Sequence, residues 1–248
     1  NVLVKPALSD MRTTITEYDF PAEDSAPLYP LFDGKNIWIS DAQQPRLWKF
    51  SLDDEQFTSY TFEGISTIFL DMDNNGKIWF TDTPNSKIGS FDPSTEKFEI
   101  VEIPQLHITQ VDSIPIAVEV DHDGDIWIAL VDKHTLLEYD QQSKTFDTHS
   151  TLTAEAGPAA LKVDDDNNIW FAESFVGKLG KIDGNTGEMI EYQPADGQLA
   201  EPFALMFDKD GNLWISEHAG PGIAKFDPIL ETFDRVTAPN PQSLPFGM

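Results

Sequence analysis

The stretch Asp208-Lys-Asp-Gly-Asn-Leu-Trp214-Ile-Ser-Glu217 joins a polar, turn-forming cluster to a short apolar and aromatic segment. The same arrangement recurs four more times along the chain. The other copies are Asp33-Gly-Lys-Asn-Ile-Trp38-Ile-Ser-Asp41, Asp73-Asn-Asn-Gly-Lys-Ile-Trp79-Phe-Thr-Asp82, Asp121-His-Asp-Gly-Asp-Ile-Trp127-Ile-Ala-Leu130 and Asp164-Asp-Asp-Asn-Asn-Ile-Trp170-Phe-Ala-Glu173. Such recurrence indicates a repeat architecture, because one supersecondary unit cannot bury its apolar face alone.

The spacing of the copies predicts the fold. Successive tryptophans of the repeat are 41, 48, 43 and 44 residues apart, and the offsets inside each copy are constant. Short β-rich runs alternate with Asp/Asn/Gly or Asp-Pro turns, and no window shows helical periodicity. Each copy therefore predicts four strands, A to D, with strand C at Lys87–Phe91 and strand D at Phe98–Ile103 in the second copy. Four strands in a period in the forties are typical of a β-propeller blade, so the tryptophans are expected in the core between blades.

The two chain ends resemble parts of one further blade. Ile15–Pro21 matches the strand D pattern of Met189–Pro194, and Leu244–Met248 matches the start of strand A at Glu201–Leu205. Terminal segments that share a blade remove open sheet edges. We therefore expect one all-β propeller domain over residues 1–248, with five complete repeats and a shared closing blade that is truncated at the C-terminal end. The ring would have six or seven blades.

Composition excludes several classes of function. The chain has 43 acidic and 16 basic residues and a formal net charge of −27, which argues against nucleic acid and anionic membranes as partners. It has no run of 18 apolar residues, so no transmembrane span is expected. The absence of cysteine excludes disulfide and thiolate chemistry. An acidic, cysteine-free chain is compatible with an extracellular or periplasmic location, which we expect rather than a cytoplasmic one.

The strand order predicts which rim of the ring binds a partner. The A–B and C–D hairpins share one rim, and the B–C and D–A loops share the other. Binding residues favour variable loops on a rigid scaffold, so the second rim is the candidate surface. Its candidate residues are Asp41, Asp82, Glu173 and His107, the last of them in the long loop Pro104–Pro115.

The segment Asp71–Asp82 also fits a calcium-loop pattern. A strand over Lys77–Thr81 would carry Asp82 about 16 Å away from the turn, however. The sequence therefore predicts a hairpin turn at Asp71–Ile78.

The repeat Pro-x-x-x-x-x-Asp-x-x-Gly-Asn-x-Trp-x-x-Glu, followed by an Ile-x-x-Phe-Asp-Pro strand, resembles the streptogramin (virginiamycin B) lyase family of β-propellers. The stretches Pro158–Pro194 and Pro202–Pro239 match best. The resemblance implies seven blades, a histidine directly after the strand A proline as general base, and two glutamates that hold Mg²⁺. Glu201 and Glu217 match the two glutamates.

The residues after the strand A prolines do not match the implied base: they are Ile116, Ala159, Phe203 and Phe246. A phenylalanine cannot accept a proton, so His218 is a candidate substitute for the base, and the incomplete blade is the other expected place for the implied histidine. Two functions therefore stay open. We expect a binding or assembly module for a protein or small-molecule ligand at the loop-rich rim. The alternative is a Mg²⁺-dependent C–O lyase that opens a cyclic ester.

Overall fold

The computed structural model describes residues 16–106, 113–240 and 242–247. These residues form five four-stranded antiparallel sheets, and in each sheet the strand order follows the order of the chain. The prediction of a propeller of four-stranded blades is confirmed for five blades, whereas a total of six or seven blades stays a prediction. In the described part of the chain, the 3₁₀ turn Thr83–Asn85 is the one helical element.

Each blade contributes strands A to D in sequence. Blade 1 contains β1 (Pro27–Phe32), β2 (Asn36–Asp41), β3 (Arg46–Ser51) and β4 (Gln56–Thr61). Blade 2 contains β5 (Leu70–Met72), β6 (Ile78–Asp82), β7 (Lys87–Asp92) and β8 (Lys97–Glu102). Blade 3 contains β9 (Pro115–Val120), β10 (Ile126–Leu130), β11 (Thr135–Asp140) and β12 (Thr145–Ser150). Blade 4 contains β13 (Pro158–Val163), β14 (Ile169–Glu173), β15 (Lys178–Ile182) and β16 (Met189–Tyr192). Blade 5 contains β17 (Pro202–Phe207), β18 (Leu213–Glu217), β19 (Gly222–Asp227) and β20 (Thr232–Thr237).

The core lies between neighbouring blades. All five residues of β6, of β10 and of β14 are buried, because a B strand is covered by another sheet on each face. Trp38, Trp79, Trp127 and Trp170 are 1 to 4% exposed, which confirms the prediction that these side chains are core. Trp214 is half-buried.

The first aspartate of each acidic turn fixes the tryptophan of the same blade. The indole Nε1 donates to the carboxylate of this aspartate in all five blades, at 2.7 to 3.5 Å. In blade 2 the other oxygen of Asp73 accepts hydrogen bonds from the backbone amides of Asn75 and Lys77. The segment Asp71–Ile78 is thus the predicted hairpin turn, and Asp82 lies at the far end of β6.

In blades 2, 4 and 5 the facing side chains on strands B and C compensate each other in volume. The two B strands that carry phenylalanine after the tryptophan face glycine on strand C, in the pairs Phe80–Gly89 and Phe171–Gly180. In blade 5 the smaller Ile215 faces Ala224. A Cβ atom on Gly89 or Gly180 would overlap the facing phenylalanine ring, so these two glycines are required by close approach.

The segment before blade 1 packs as a strand D of a neighbouring blade does. Tyr18 contacts Phe50 with ring centroids 4.7 Å apart, and Phe20 contacts Phe57 at 4.9 Å. Between blades 1 and 2 the matching pairs are Tyr60–Phe91 at 4.8 Å and Phe62–Phe98 at 5.1 Å. The expected strand positions within residues 1–15 lie outside the described residues. At the other end, the carbonyl of Phe246 accepts a hydrogen bond from Ser216 Oγ at 3.2 Å.

Candidate functional site

The A strands of adjacent blades contact one another and surround the axis. They line an axial cavity of about 110 Å³. Its walls come from Leu28, Tyr29, Pro30, Phe69, Ile116–Glu119, Ala159–Lys162, Phe203–Leu205, Phe246 and Gly247. Because side chains from several blades converge on this cavity, it is the candidate binding site of the ring.

The first residue after the strand A proline contributes to this cavity in every blade that has the proline. These residues are Leu28, Ile116, Ala159, Phe203 and Phe246. All five are apolar, so within the described residues no proton acceptor stands at this position. The structure therefore places five hydrocarbon side chains where the resemblance implies a histidine.

His218 is brought to the same place from the neighbouring loop. Its ring lies against Phe203, with centroids 5.9 Å apart, and against Phe246 at 5.3 Å. The two phenylalanines contact each other at 4.4 Å. His218 Nδ1 is buried and has no hydrogen-bond partner in the part of the chain that the structure describes. The imidazole is thus held by aromatic packing beside the cavity wall.

Glu217, a candidate metal ligand, is engaged inside the protein. Its side chain is buried, and Oε1 accepts a hydrogen bond from the backbone amide of Ala200 at 2.9 Å. The guanidinium of Arg235 lies 3.5 Å from the same oxygen. Glu201 is exposed, and its backbone carbonyl accepts a hydrogen bond from the amide of His218. Oε1 of Glu217 is thus engaged by Ala200 and Arg235, and metal binding by Glu201 and Glu217 stays a prediction.

The carboxylate at the end of strand B has the same structural role in blades 1 and 2. Asp41 accepts a hydrogen bond from the amide of Ala26 at 3.0 Å, and Asp82 accepts one from the amide of Ser66 at 3.1 Å. In both cases, as for Glu217, this hydrogen bond links the preceding D–A loop to the end of strand B.

Asp41 and Asp82 have further partners inside their blades. Burial alone would raise the pKa of Asp41, but hydrogen bonds from Ser25 and from backbone amides outweigh it and hold the pKa well below its usual range. Asn85 donates to Asp82 at 2.8 Å. Both carboxylates are fully buried. Partner binding by these residues stays a prediction, and His107 lies outside the described residues.

Glu173 departs from this pattern. It is fully buried, and neither carboxylate oxygen has a partner in the described part of the chain. The amide of Gly157, in the loop before strand A, donates instead to Nδ1 of His134 at 3.2 Å. Burial, followed by the nearby Glu191, raises the pKa of Glu173 to about 8. Glu191 is itself fixed by Lys178 Nζ at 2.6 Å.

A charged cluster in the axial cavity was not identified from the sequence. Lys162 Nζ on β13 donates to both carboxylate oxygens of Glu119 on β9, each at 2.6 Å. Burial lowers the pKa of Lys162, but the charge of Glu119 outweighs it, so the net pKa is raised. Asp71 on β5 is close enough to interact electrostatically with Lys162, as is Tyr29 on β1. The signal in the sequence is a charged residue inside an otherwise apolar strand A.

Another acidic group lies on the rim of the A–B hairpins. Asp121, Asp125 and Glu138 each offer a carboxylate oxygen within 4.8 Å of the others. Among the described residues this is the one group of three with such geometry. Burial, followed by the charge of Asp121, raises the pKa of Asp125 to about 6. His149 Nε2 lies 2.9 Å from Glu138.

Comparison with known proteins gives a family and related structures. The model of the Virginiamycin B lyase family matches residues 7–248. The crystal structure of selenomethionine-substituted virginiamycin B lyase from Staphylococcus aureus superposes with a TM-score of 0.80 at 20% identity, covering 91% of this chain and 74% of that one. A catalytically inactive variant of that lyase with quinupristin gives a TM-score of 0.83 at 20% identity, covering 94% and 76%. A streptogramin B lyase structure gives 0.82 at 22% identity, covering 94% and 75%.

These structural likenesses are below 25% identity and bear on the fold alone. No protein with curated annotation matches the chain by sequence. None of the described residues forms a helix that could cross a membrane. The match of the family model covers nearly all of the sequence. The chain therefore belongs to the virginiamycin B lyase family.

Proposed function

We propose that this protein is a binding module that takes an apolar group at its axial cavity and does not open a cyclic ester. The observation that carries the proposal is the set of five apolar side chains at the position that follows the strand A proline, from Leu28 to Phe246. A hydrocarbon cannot accept a proton, and a general base typically contributes 10²- to 10⁴-fold to the rate.

The same side chains favour binding. Phe203 and Phe246 form an aromatic pair beside a cavity whose other walls are mostly apolar. Small-molecule sites are usually concave and apolar with a few polar groups that set orientation. Glu119, Lys162 and Tyr29 supply such polar groups at this cavity. The quinupristin complex of a family member gives a suitable first ligand.

The proposal is tested by calorimetric titration of quinupristin into the wild type, Phe203→Ala and Phe98→Ala. Phe98 is the matched control, because it lies on the outer strand β8 and is 44% exposed. We expect binding that weakens about tenfold or more in Phe203→Ala, since truncation of a buried aromatic anchor costs more than about 1 kcal/mol. Phe98→Ala should bind as the wild type does. Equal affinity of all three proteins would overturn the assignment to this cavity.

A ring-opening lyase is the second candidate, and His218 is the observation that favours it. Its Nδ1 is buried without a described partner, and its ring lies against the two phenylalanines at the implied base positions. In such a lyase, the imidazole of His218 would be the group that accepts the proton from the substrate. Turnover that is present in the wild type and lost in His218→Ala would support the lyase and contradict the binding module.

A further inference from the structure

The axial cavity contains an ion pair whose charges come from two blades. Glu119 belongs to β9 and is 8% exposed, and Lys162 belongs to β13. Lys162 Nζ lies 2.6 Å from both oxygens of Glu119, and both residues line the cavity. A pair this well buried is strongly coupled, because the surrounding protein screens it much less than water does.

Asp71 adds a second carboxylate to this pair. Its Oδ2 accepts a hydrogen bond from the amide of Val120 at 2.7 Å, next to Glu119. Burial raises the pKa of Asp71, and Lys162 acts against that rise. One ammonium group therefore faces two carboxylates, and the cluster carries an excess of negative charge when both acids are ionised. An additional cation in the cavity would stabilise the ionised state of Asp71.

The remaining walls of the axial cavity restrict the size and polarity of the group that carries this cation. Ala160 and Ala204 leave space beside the charged residues, and Phe69 and Phe203 are apolar. A cavity of about 110 Å³ has room for a few atoms beyond a head group. For comparison, one water occupies about 30 Å³ of liquid, and an engineered cavity of about 150 Å³ binds benzene. A short alkyl chain fits this space, and an anionic group would meet the carboxylate of Glu119 with that of Asp71 close behind it.

We infer that the axial cavity takes a primary ammonium group on a short apolar chain, with the head group at Tyr29 and the Glu119–Lys162 pair and with the charge of Asp71 close behind them. The chain then lies against the phenylalanines at the implied base positions. This inference rests on the proposed binding function and specifies its ligand class. The negative charge of the whole chain, −27, raises the local concentration of such a cation.

The ammonium group has two chemical sources, a free amine or a lysine side chain of a peptide. The first arm of the test titrates n-butylammonium, 1-butanol and butyrate into the wild type at neutral pH. The second arm titrates the tripeptide acetyl-Gly-Lys-Gly-amide and the same peptide with norleucine in place of lysine. Both ligand pairs match the apolar part and differ in the positive charge. Tighter binding of n-butylammonium than of the other two ligands in the first arm supports a free amine. Tighter binding of the lysine peptide than of the norleucine peptide in the second arm supports a lysine side chain.

Two variants test separately the negative charge of Asp71 and the free space of the cavity. Asp71→Asn keeps an oxygen that can accept the Val120 amide and removes the excess negative charge. Asp165→Asn, at an exposed turn position, is the matched control. Ala160→Leu fills the cavity without changing its charge. We expect n-butylammonium to bind about tenfold tighter than 1-butanol, the order of a hydrogen bond to a charged group. Asp71→Asn should abolish this preference, Asp165→Asn should keep it, and Ala160→Leu should prevent binding of both ligands.

The outcomes distinguish this inference from the proposed function. Equal affinity for n-butylammonium and 1-butanol in the wild type, or a preference that survives Asp71→Asn, overturns the ammonium site. If quinupristin still binds through Phe203 in that case, the proposed function stands without this ligand class. Binding that persists in Ala160→Leu places the ligand outside the cavity and also overturns the inference.

Discussion

The indole Nε1 of Trp170 donates a hydrogen bond of 2.7 Å to Oδ2 of Asp164. The other oxygen, Oδ1, accepts hydrogen bonds from the backbone amides of Asp166 at 3.0 Å and Asn168 at 2.9 Å. One carboxylate thus closes the A–B turn and orients the largest side chain of the core. Because all five blades repeat this bond, the spacing between the aspartate and the tryptophan is a requirement of packing as well as of the turn.

Replacing Asp164 with alanine should destabilise the protein by about 2–4 kcal/mol, because it removes hydrogen bonds to a charged acceptor and leaves a buried indole N–H unpaired. Urea denaturation of the wild type and the variant measures the change in the free energy of unfolding. The neighbouring Asp165 is exposed, so Asp165→Ala should stay within about 0.5 kcal/mol of the wild type. Similar losses for both substitutions would contradict the structural role of the Asp164–Trp170 bond.

Glu173 should make stability depend on pH. Its pKa of about 8 in the folded protein lies above 4.5, the ordinary value of a glutamate. The stabilising contribution of the protonated group is therefore complete below the unfolded pKa and is lost as pH rises to about 8. Glu173→Gln should be more stable than the wild type at pH 8.5 by about 2 kcal/mol, less than full linkage gives because the protein relaxes around a buried charge and the glutamine amide is itself buried. The difference should shrink at low pH.

The measurement is urea denaturation of both proteins from pH 4 to pH 8.5, with Glu188→Gln as the matched control. Glu188 is exposed in the turn before β16, so its substitution should leave the pH profile of the wild type unchanged. Parallel profiles for the wild type and Glu173→Gln would show that Glu173 is ionised in the folded protein at neutral pH.

Gly180 and Phe171 should be energetically coupled. Gly180→Ala should destabilise by about 1–3 kcal/mol, because the added methyl group overlaps the ring of Phe171. The double variant Phe171→Ile/Gly180→Ala reproduces the pair Ile215–Ala224 of blade 5. Its loss of stability should be smaller than the sum of the two single losses. A double-mutant cycle in urea tests this, and strictly additive losses would contradict the volume compensation.

The repeat made the architecture predictable, since its tryptophan spacing and turn residues indicate four strands per copy. The bond from each tryptophan to its aspartate was missed, although the nearly constant spacing from Asp33 to Trp38 and from Asp208 to Trp214 was visible. Turn-forming aspartates were interpreted from backbone geometry alone, which does not reveal a side-chain partner.

The candidate site was less predictable, because its residues come from different blades. Glu201 and Glu217 are implied by the resemblance to the lyase family, but the orientation of Glu217 toward Ala200 and Arg235 follows from the D–A loop and from β20. Glu119 and Lys162 are 43 residues apart and meet only when two A strands lie side by side. A charged residue in an inner strand was the available signal.

The most direct test of the central claim, binding without ring opening, is a chromatographic assay of quinupristin incubated with the wild-type protein and Mg²⁺. Elimination at the ester gives an isomer of equal mass, so the cyclic and linear forms must be separated by retention time. We predict that the protein binds quinupristin and returns it as the cyclic form alone. A linear isomer that accumulates with time in proportion to protein concentration, and that disappears in His218→Ala, would contradict the account.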